Sequence, residues 1–229
     1  MRNNKLHRTI TATAIFFIFH FSFFLSSCHH NDYTPKPYAY LRIDMPEHDY
    51  WLVDSLCTHP GDTLIYNADT MVLLTGSCKR FPFIFEANKC IELLEKDAPK
   101  GERWIDLMYP QWNGVIFLTY RHLPSPDSLR SQTDESLRYL EQHYQFASGV
   151  EEQGYEDKEN KVYGTVYYLK GSKVASTCQF WLTDSNSHYL RGALYLNHTP
   201  NNDSLAPVID YMQADIEHLV ETLRWRSAN

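Results

Sequence analysis

Hydrophobic and polar positions along the chain fall into blocks with different periods, and each block predicts an element. Tyr38-Ala39-Tyr40-Leu41-Arg42-Ile43-Asp44 alternates apolar and polar residues, as a strand with one buried face does. From Pro46 to Arg80 no period holds, which predicts loop and a hairpin. Phe81-Pro82-Phe83-Ile84-Phe85 predicts a short aromatic strand. The runs Trp104 to Tyr109 and Val115 to Tyr120 flank Pro110-Gln111-Trp112-Asn113-Gly114. Asn-Gly between apolar runs marks a hairpin, because both residues tolerate positive φ.

Helical spacing follows. Ser125-Pro126-Asp127 supplies a start, Leu129, Thr133, Leu137, Leu140 and Tyr144 recur every three or four residues, and Gly149 lies past the expected end. Val162 to Leu169, Ser176 to Thr183 and Tyr189 to Leu196 then predict an antiparallel meander. The last helix has Asp203 as its expected cap, Pro207 in the first turn, and Arg224 and Arg226 at its negative end. Leu205, Val208, Ile209, Met212, Ile216, Leu219, Val220 and Leu223 form one apolar stripe. Eight such side chains contribute on the order of 12–20 kcal/mol of gross burial, which predicts packing on the sheet. The order of elements predicts an α+β fold, an antiparallel β-sheet flanked by two main helices.

The N-terminus reads differently. Arg2, Lys5 and Arg8 precede an uncharged, Ile- and Phe-rich run from Thr9 to Leu25, which ends in Leu25-Ser26-Ser27-Cys28. The run is shorter than a membrane span needs, contains His20 and Ser22, and stops at small residues, as a cleaved leader does. Leu-Ser-Ser-Cys resembles a bacterial lipobox, which implies acylation of Cys28 and a membrane attachment made durable by several chains. Residues 1–27 are therefore expected to be a lipoprotein signal peptide, 28–37 an acylated tether with Pro35 and Pro37, and 38–229 one domain. His29 and His30 read as solvated tether. No acidic cluster follows Cys28, so the expected place is the outer membrane, facing the periplasm.

The formal charge of −7 falls to −10 when the leader's three cations are removed. That argues against nucleic acid as a partner, since polyphosphate binding needs a surplus of Lys and Arg on one face. Four cysteines remain after Cys28. In an oxidising compartment Cys57 and Cys78 are candidates for a disulfide closing a loop of roughly 20 residues. Cys90 and Cys178 sit beside apolar residues and read as buried thiols or as a second bridge.

Phosphate-loop, dinucleotide, nucleophile-elbow and HExxH patterns are missing, the histidines are scattered, and no metal or cofactor is expected. The run Glu151-Glu152 to Glu159 reads as a solvated acidic loop. Asp184, Ser185, His188 and Arg191 lie within eight positions. Groups so close on one turn rarely form a triad, whose members converge from different elements. The preferred reading is a hairpin turn in which Asp184 and Ser185 accept backbone N–H bonds, Arg191 pairs with a carboxylate, and the turn with nearby exposed aromatics presents a partner surface. The alternative is a small-ligand-binding or hydrolytic site built from Asp184, His188 and Arg191.

Four stretches carry a family likeness: Pro35 to Pro46 after the lipobox, Phe180 to Ser185, His188 to Tyr195, and Asn202 to Ile209. They resemble the gliding motility lipoprotein GldD family of Bacteroidota across essentially the whole mature chain, with the segment from about Trp51 to Arg80 departing from it. The resemblance implies a non-enzymatic, lipid-anchored envelope protein that supports gliding and type IX secretion alongside other envelope proteins. It transfers no catalytic residues. The order of elements also looks like the PsbP/Mog1 architecture, a likeness of fold alone.

Overall fold

The computed structural model describes residues 43–58, 63–66, 69–72 and 77–226, with side chains at 43–56 and 79–226. The leader, Cys28, the tether with His29 and His30, and most of the first expected strand lie outside these residues. Among the described residues, twelve strands and two α-helices follow in chain order: β1 (Tyr50–Thr58), β2 (Thr63–Tyr66), β3 (Asp69–Val72), β4 (Ser77–Asn88), β5 (Glu92–Lys96), β6 (Glu102–Tyr109), β7 (Gly114–His122), α1 (Ser128–Glu141), β8 (Gly149–Asp157), β9 (Val162–Lys170), β10 (Cys178–Thr183), β11 (His188–Leu196), α2 (Asn202–Thr222) and β12 (Arg224–Trp225). The main sheet is antiparallel, in the order β5-β6-β7-β11-β10-β9-β8, and a smaller sheet runs β1-β4-β12. The fold is α+β, as the pattern of elements predicts.

Strand alternation decides what lies on each face of the main sheet. Ile105 and Leu107 of β6, Ile116 and Leu118 of β7, Phe180 and Leu182 of β10, and Leu190 and Leu194 of β11 point into the larger core. There they meet Phe81, Phe83 and Phe85 of β4 and the stripe Val208, Met212, Ile216, Leu219 and Val220 of α2. Gly192 is required in this layer, since a Cβ there would run into the Phe180 ring. The other face carries the smaller cluster of Leu140, Tyr167, Leu169 and Val174 beside α1.

Several expectations are corrected. Ile43 and Asp44, the described end of the first expected strand, carry no strand, and among the described residues the first one starts at Tyr50. The stretch expected to be loop and a hairpin holds β1 and the start of β4 besides the β2–β3 hairpin. β1 hides because its register shifts between Val53 and Ser55, which breaks a period of two. Of the expected acidic loop, Glu151, Glu152, Glu156 and Asp157 lie on the edge strand β8, mostly exposed and so without a continuous apolar face to reveal it, while Lys158 and Glu159 do fall in a turn. Charges on such an edge discourage strand addition. α1 ends at Glu141, Tyr144 falls in a 3-10 turn, and Ser136 and Leu140 are its buried residues. Asp203 stands inside the first turn of α2 rather than at its N-cap, which is Asn201. Arg224 does serve the helix end, donating to the carbonyls of Glu221 at 2.9 Å and Leu223 at 2.6 Å.

Candidate functional site

The turn between β10 and β11 is built by Asp184. Its Oδ1 accepts from the backbone N–H of Asn186 at 2.9 Å, Ser187 at 2.8 Å and His188 at 2.8 Å. Burial alone would raise its carboxyl, and these bonds outweigh it, holding Asp184 below the usual aspartate range. Ser185 takes the left-handed conformation at φ 61° and donates its N–H to Thr183 Oγ1 at 3.0 Å. The expectation that Asp184 accepts backbone N–H groups therefore holds, and the parallel one for Ser185 is reversed.

His188 and Arg191 are an odd number of residues apart on one strand, so they occupy opposite faces of the sheet. His188 is buried on the α2 face, stacked on Trp225 with 5.1 Å between centroids, and its Nδ1 lies 2.9 Å from the Tyr120 hydroxyl. Burial lowers its pKa. It borders a cavity of about 430 Å³ with Arg103, His122 and Arg226, in which Arg103 is paired with Glu95 and Arg226 with Asp54. Asp184, His188 and Arg191 thus do not converge, and the ligand or hydrolytic site suggested by their spacing is not assembled. The single partner surface expected from Asp184, Ser185, His188 and Arg191 is likewise divided between a turn and two faces.

Arg191 lies on the α1 face, half-buried. Its expected carboxylate partner is replaced by Gln179, whose Oε1 accepts from Nη2 at 2.9 Å, and by the Tyr139 ring 4.7 Å from the guanidinium carbon. Burial lowers its pKa below the usual arginine value. Beside it a cavity of about 180 Å³ opens between α1 and the sheet, lined by Trp104, Arg121, Glu135, Tyr139, Tyr189 and Arg191. Arg121 is engaged there by Glu102 and Glu135. Tyr189, with its phenol pushed up to about 12 by burial, is tied to Ser136 at 2.6 Å. Trp104 and Tyr139 remain 38 % and 42 % exposed at the rim.

A second polar cluster is invisible to sequence spacing. Asp215 of α2, 5 % exposed, accepts at Oδ1 from His48 Nδ1 at 2.7 Å and the Tyr50 hydroxyl at 3.0 Å. Its Oδ2 accepts from Tyr109 at 2.8 Å, and Asn88 Nδ2 lies 3.2 Å from both oxygens. The proton of His48 is assigned to Nδ1 because that nitrogen faces a carboxylate. Burial and the Asp215 charge raise the phenols of Tyr50 and Tyr109 far above the usual range, so both are neutral donors. His48 also stacks on Tyr211 at 4.0 Å and Tyr50 on His218 at 3.6 Å. Cys90 borders the cluster, its backbone N–H donating to Asn88 Oδ1 at 3.1 Å, and burial raises its thiol. The cluster joins α2, β1, β4, β6 and the segment that leads into β1.

The family model for the gliding motility lipoprotein GldD matches residues 65–225, well over half of the chain. The chain belongs to this family. The match takes in Asp184, Arg191, Tyr109 and Asp215, while His48 and Tyr50 precede it. A comparison with individually curated proteins finds no match. Membership in the GldD family makes this a gliding motility lipoprotein, as the resembling stretches between Phe180 and Ile209 implied, while Pro35 to Pro46 lies outside the matched residues. Among the described residues no helix is long and apolar enough to cross a membrane, and no group of three or more His, Cys, Asp or Glu is arranged to hold a metal ion.

Proposed function

We propose that this GldD-family protein is a non-enzymatic component of the gliding and type IX secretion apparatus, held by acylated Cys28 at the periplasmic face of the outer membrane. One observation carries the reading: the lipobox Leu25-Ser26-Ser27-Cys28 precedes a domain of the gliding motility lipoprotein family. The lipid supplies residence at the membrane, at about 0.8 kcal/mol per buried CH₂, and the folded domain supplies contacts with other envelope proteins. Of the two faces that Asp184 to Arg191 spans, the α1 face with Arg191, Trp104 and Tyr139 supports docking better. His188 is already occupied by Tyr120 and Trp225. Replacing Cys28 by Ala, with membrane fractionation and an assay of type IX export, tests this. Loss of both membrane retention and export is expected; normal retention and export would overturn it.

We also propose that Cys57 and Cys78 are joined. In the antiparallel register of β1 and β4 the two residues stand opposite each other, which supports the pairing. Closing the loop between them contributes about 3 kcal/mol on the chain-entropy model. Peptide mapping without reductant should recover the linked pair, and alkylation of both thiols in the native envelope would refute it.

A further inference from the structure

We propose that the groove around Arg191 receives a carboxylate side chain, Asp or Glu, of a partner protein docked on the α1 face. This rests on the reading of that face as the docking surface and adds the chemistry of what enters it. Among the described residues no carboxylate lies within ion-pairing distance of Arg191, whose one hydrogen bond goes to a neutral amide. Glu135, whose charge reaches Arg191, is taken by Arg121, as is Glu102. No N–H of Arg191 is among the buried unmatched groups, so those not used by Gln179 remain within reach of solvent and of an incoming acceptor.

Two neighbours behind Arg191 are short of acceptors. Gln179 must turn its carbonyl oxygen toward the guanidinium, which leaves its Nε2 buried with no acceptor. Trp181 is the cross-strand neighbour of Arg191, and its Nε1–H is buried and unmatched as well. Neither side chain lines the cavity, so what an incoming carboxylate meets there is the guanidinium of Arg191 itself. Arginine binds carboxylates through two parallel N–H bonds, a geometry the free side of this guanidinium can offer.

Size and rim select the source. A cavity of about 180 Å³ is below the roughly 300–1,000 Å³ of small-molecule sites and suits one side chain. Its edge is formed by exposed Trp104 and Tyr139, and Trp, Tyr and Arg are the residue types that dominate protein–protein hot spots.

The test uses the full-length, lipidated chain in cells, with photoreactive benzoylphenylalanine in place of Trp104, alone and combined with Arg191→Gln or Arg191→Lys. A discrete protein adduct is expected, reduced about tenfold or more by Arg191→Gln, as befits a lost charge-assisted bond, and partly restored by Arg191→Lys. Neutralising the Asp or Glu in the mapped partner segment should reduce it equally, while circular dichroism and melting of each purified variant show the fold retained. The proposal is overturned by an adduct indifferent to Arg191→Gln, by an adduct with lipid, glycan or a second copy of this chain, or by no adduct. Its failure is distinguishable from failure of the anchoring reading, which the Cys28→Ala fractionation and export assay judges separately.

Discussion

Two charged groups occupy opposite faces of the main sheet, and their surroundings differ in kind. Asp215 has every lone-pair direction met by a donor of the same chain: His48, Tyr50, Asn88 and Tyr109. Arg191 offers five N–H groups and meets one amide oxygen and one aromatic face. A charge satisfied from within fixes architecture, because its partners are ordered only in the folded chain. A charge left short of partners adds little to the fold and is suited to a group from outside. The same sheet thus has a closed polar face and an open one.

The largest effect should come from breaking the closed side. Asp215→Ala removes the acceptor shared by four donors and leaves the Tyr109 hydroxyl and Asn88 amide buried without it. The expected loss is about 3–5 kcal/mol, read as a lower urea midpoint at unchanged m-value. Amide exchange should quicken in residues 43–50, since His48 and Tyr50 hold that segment through Asp215. A loss below about 1 kcal/mol would show that the cluster is decoration. Tyr109→Phe is a milder version. It removes one donor from Oδ2 in a fully buried position, and about 1–3 kcal/mol should be lost in the same denaturation assay.

These two sites are not equally legible in the sequence. The β6–β7 hairpin, the β9–β11 meander and the stripe of α2 announce themselves through local period and turn chemistry. β5 and β8 do not, since edge strands with little buried surface have no reason to alternate. The Asp215 cluster joins residues as far apart as His48 and Asp215, 167 positions, and spacing carries no trace of it. Asp184, His188 and Arg191 suggest a site because they are close in sequence, yet odd separation on a strand sends His188 and Arg191 to different faces. Once the strand is recognised, its period of two is enough to count against a shared site. The missing carboxylate at Arg191 leaves no such mark, since pairing is a property of the packed chain.

Acid should separate the faces next. Burial depresses the pKa of His188, helped by the charge of His122 and opposed by Asp184, and burial with the charge of Arg191 depresses His143. A histidine whose folded pKa lies below its unfolded value takes up its proton more readily when unfolded. Stability is then complete above about pH 6.5 and declines as pH falls through that value toward the folded pKa. A second decline should follow below about pH 4, where Asp184 and Glu135, both held low in the folded chain, become protonated. Denaturation midpoints measured from pH 8 to pH 3 should show both steps, and His188→Gln should flatten the first. An unchanged first step in that variant would assign it elsewhere.

The smallest effect on stability is expected at Arg191, and it is the most informative. Arg191→Met keeps the aliphatic stem and removes the guanidinium, with its bond to Gln179 Oε1 and its contact with the Tyr139 ring, while the cost of holding a half-buried cation disappears. Replacing a poorly compensated buried charge by an apolar side chain of similar shape is often neutral or stabilising. The expected change is within about 1 kcal/mol in either direction, against about 3–5 kcal/mol for Asp215→Ala. If Arg191→Met instead costs as much as Asp215→Ala, the guanidinium is an internal support like Asp215, and the contrast between the two faces fails. If stability holds while export and the photo-adduct at position 104 are lost, Arg191 has been kept for a contact that the folded chain does not itself provide.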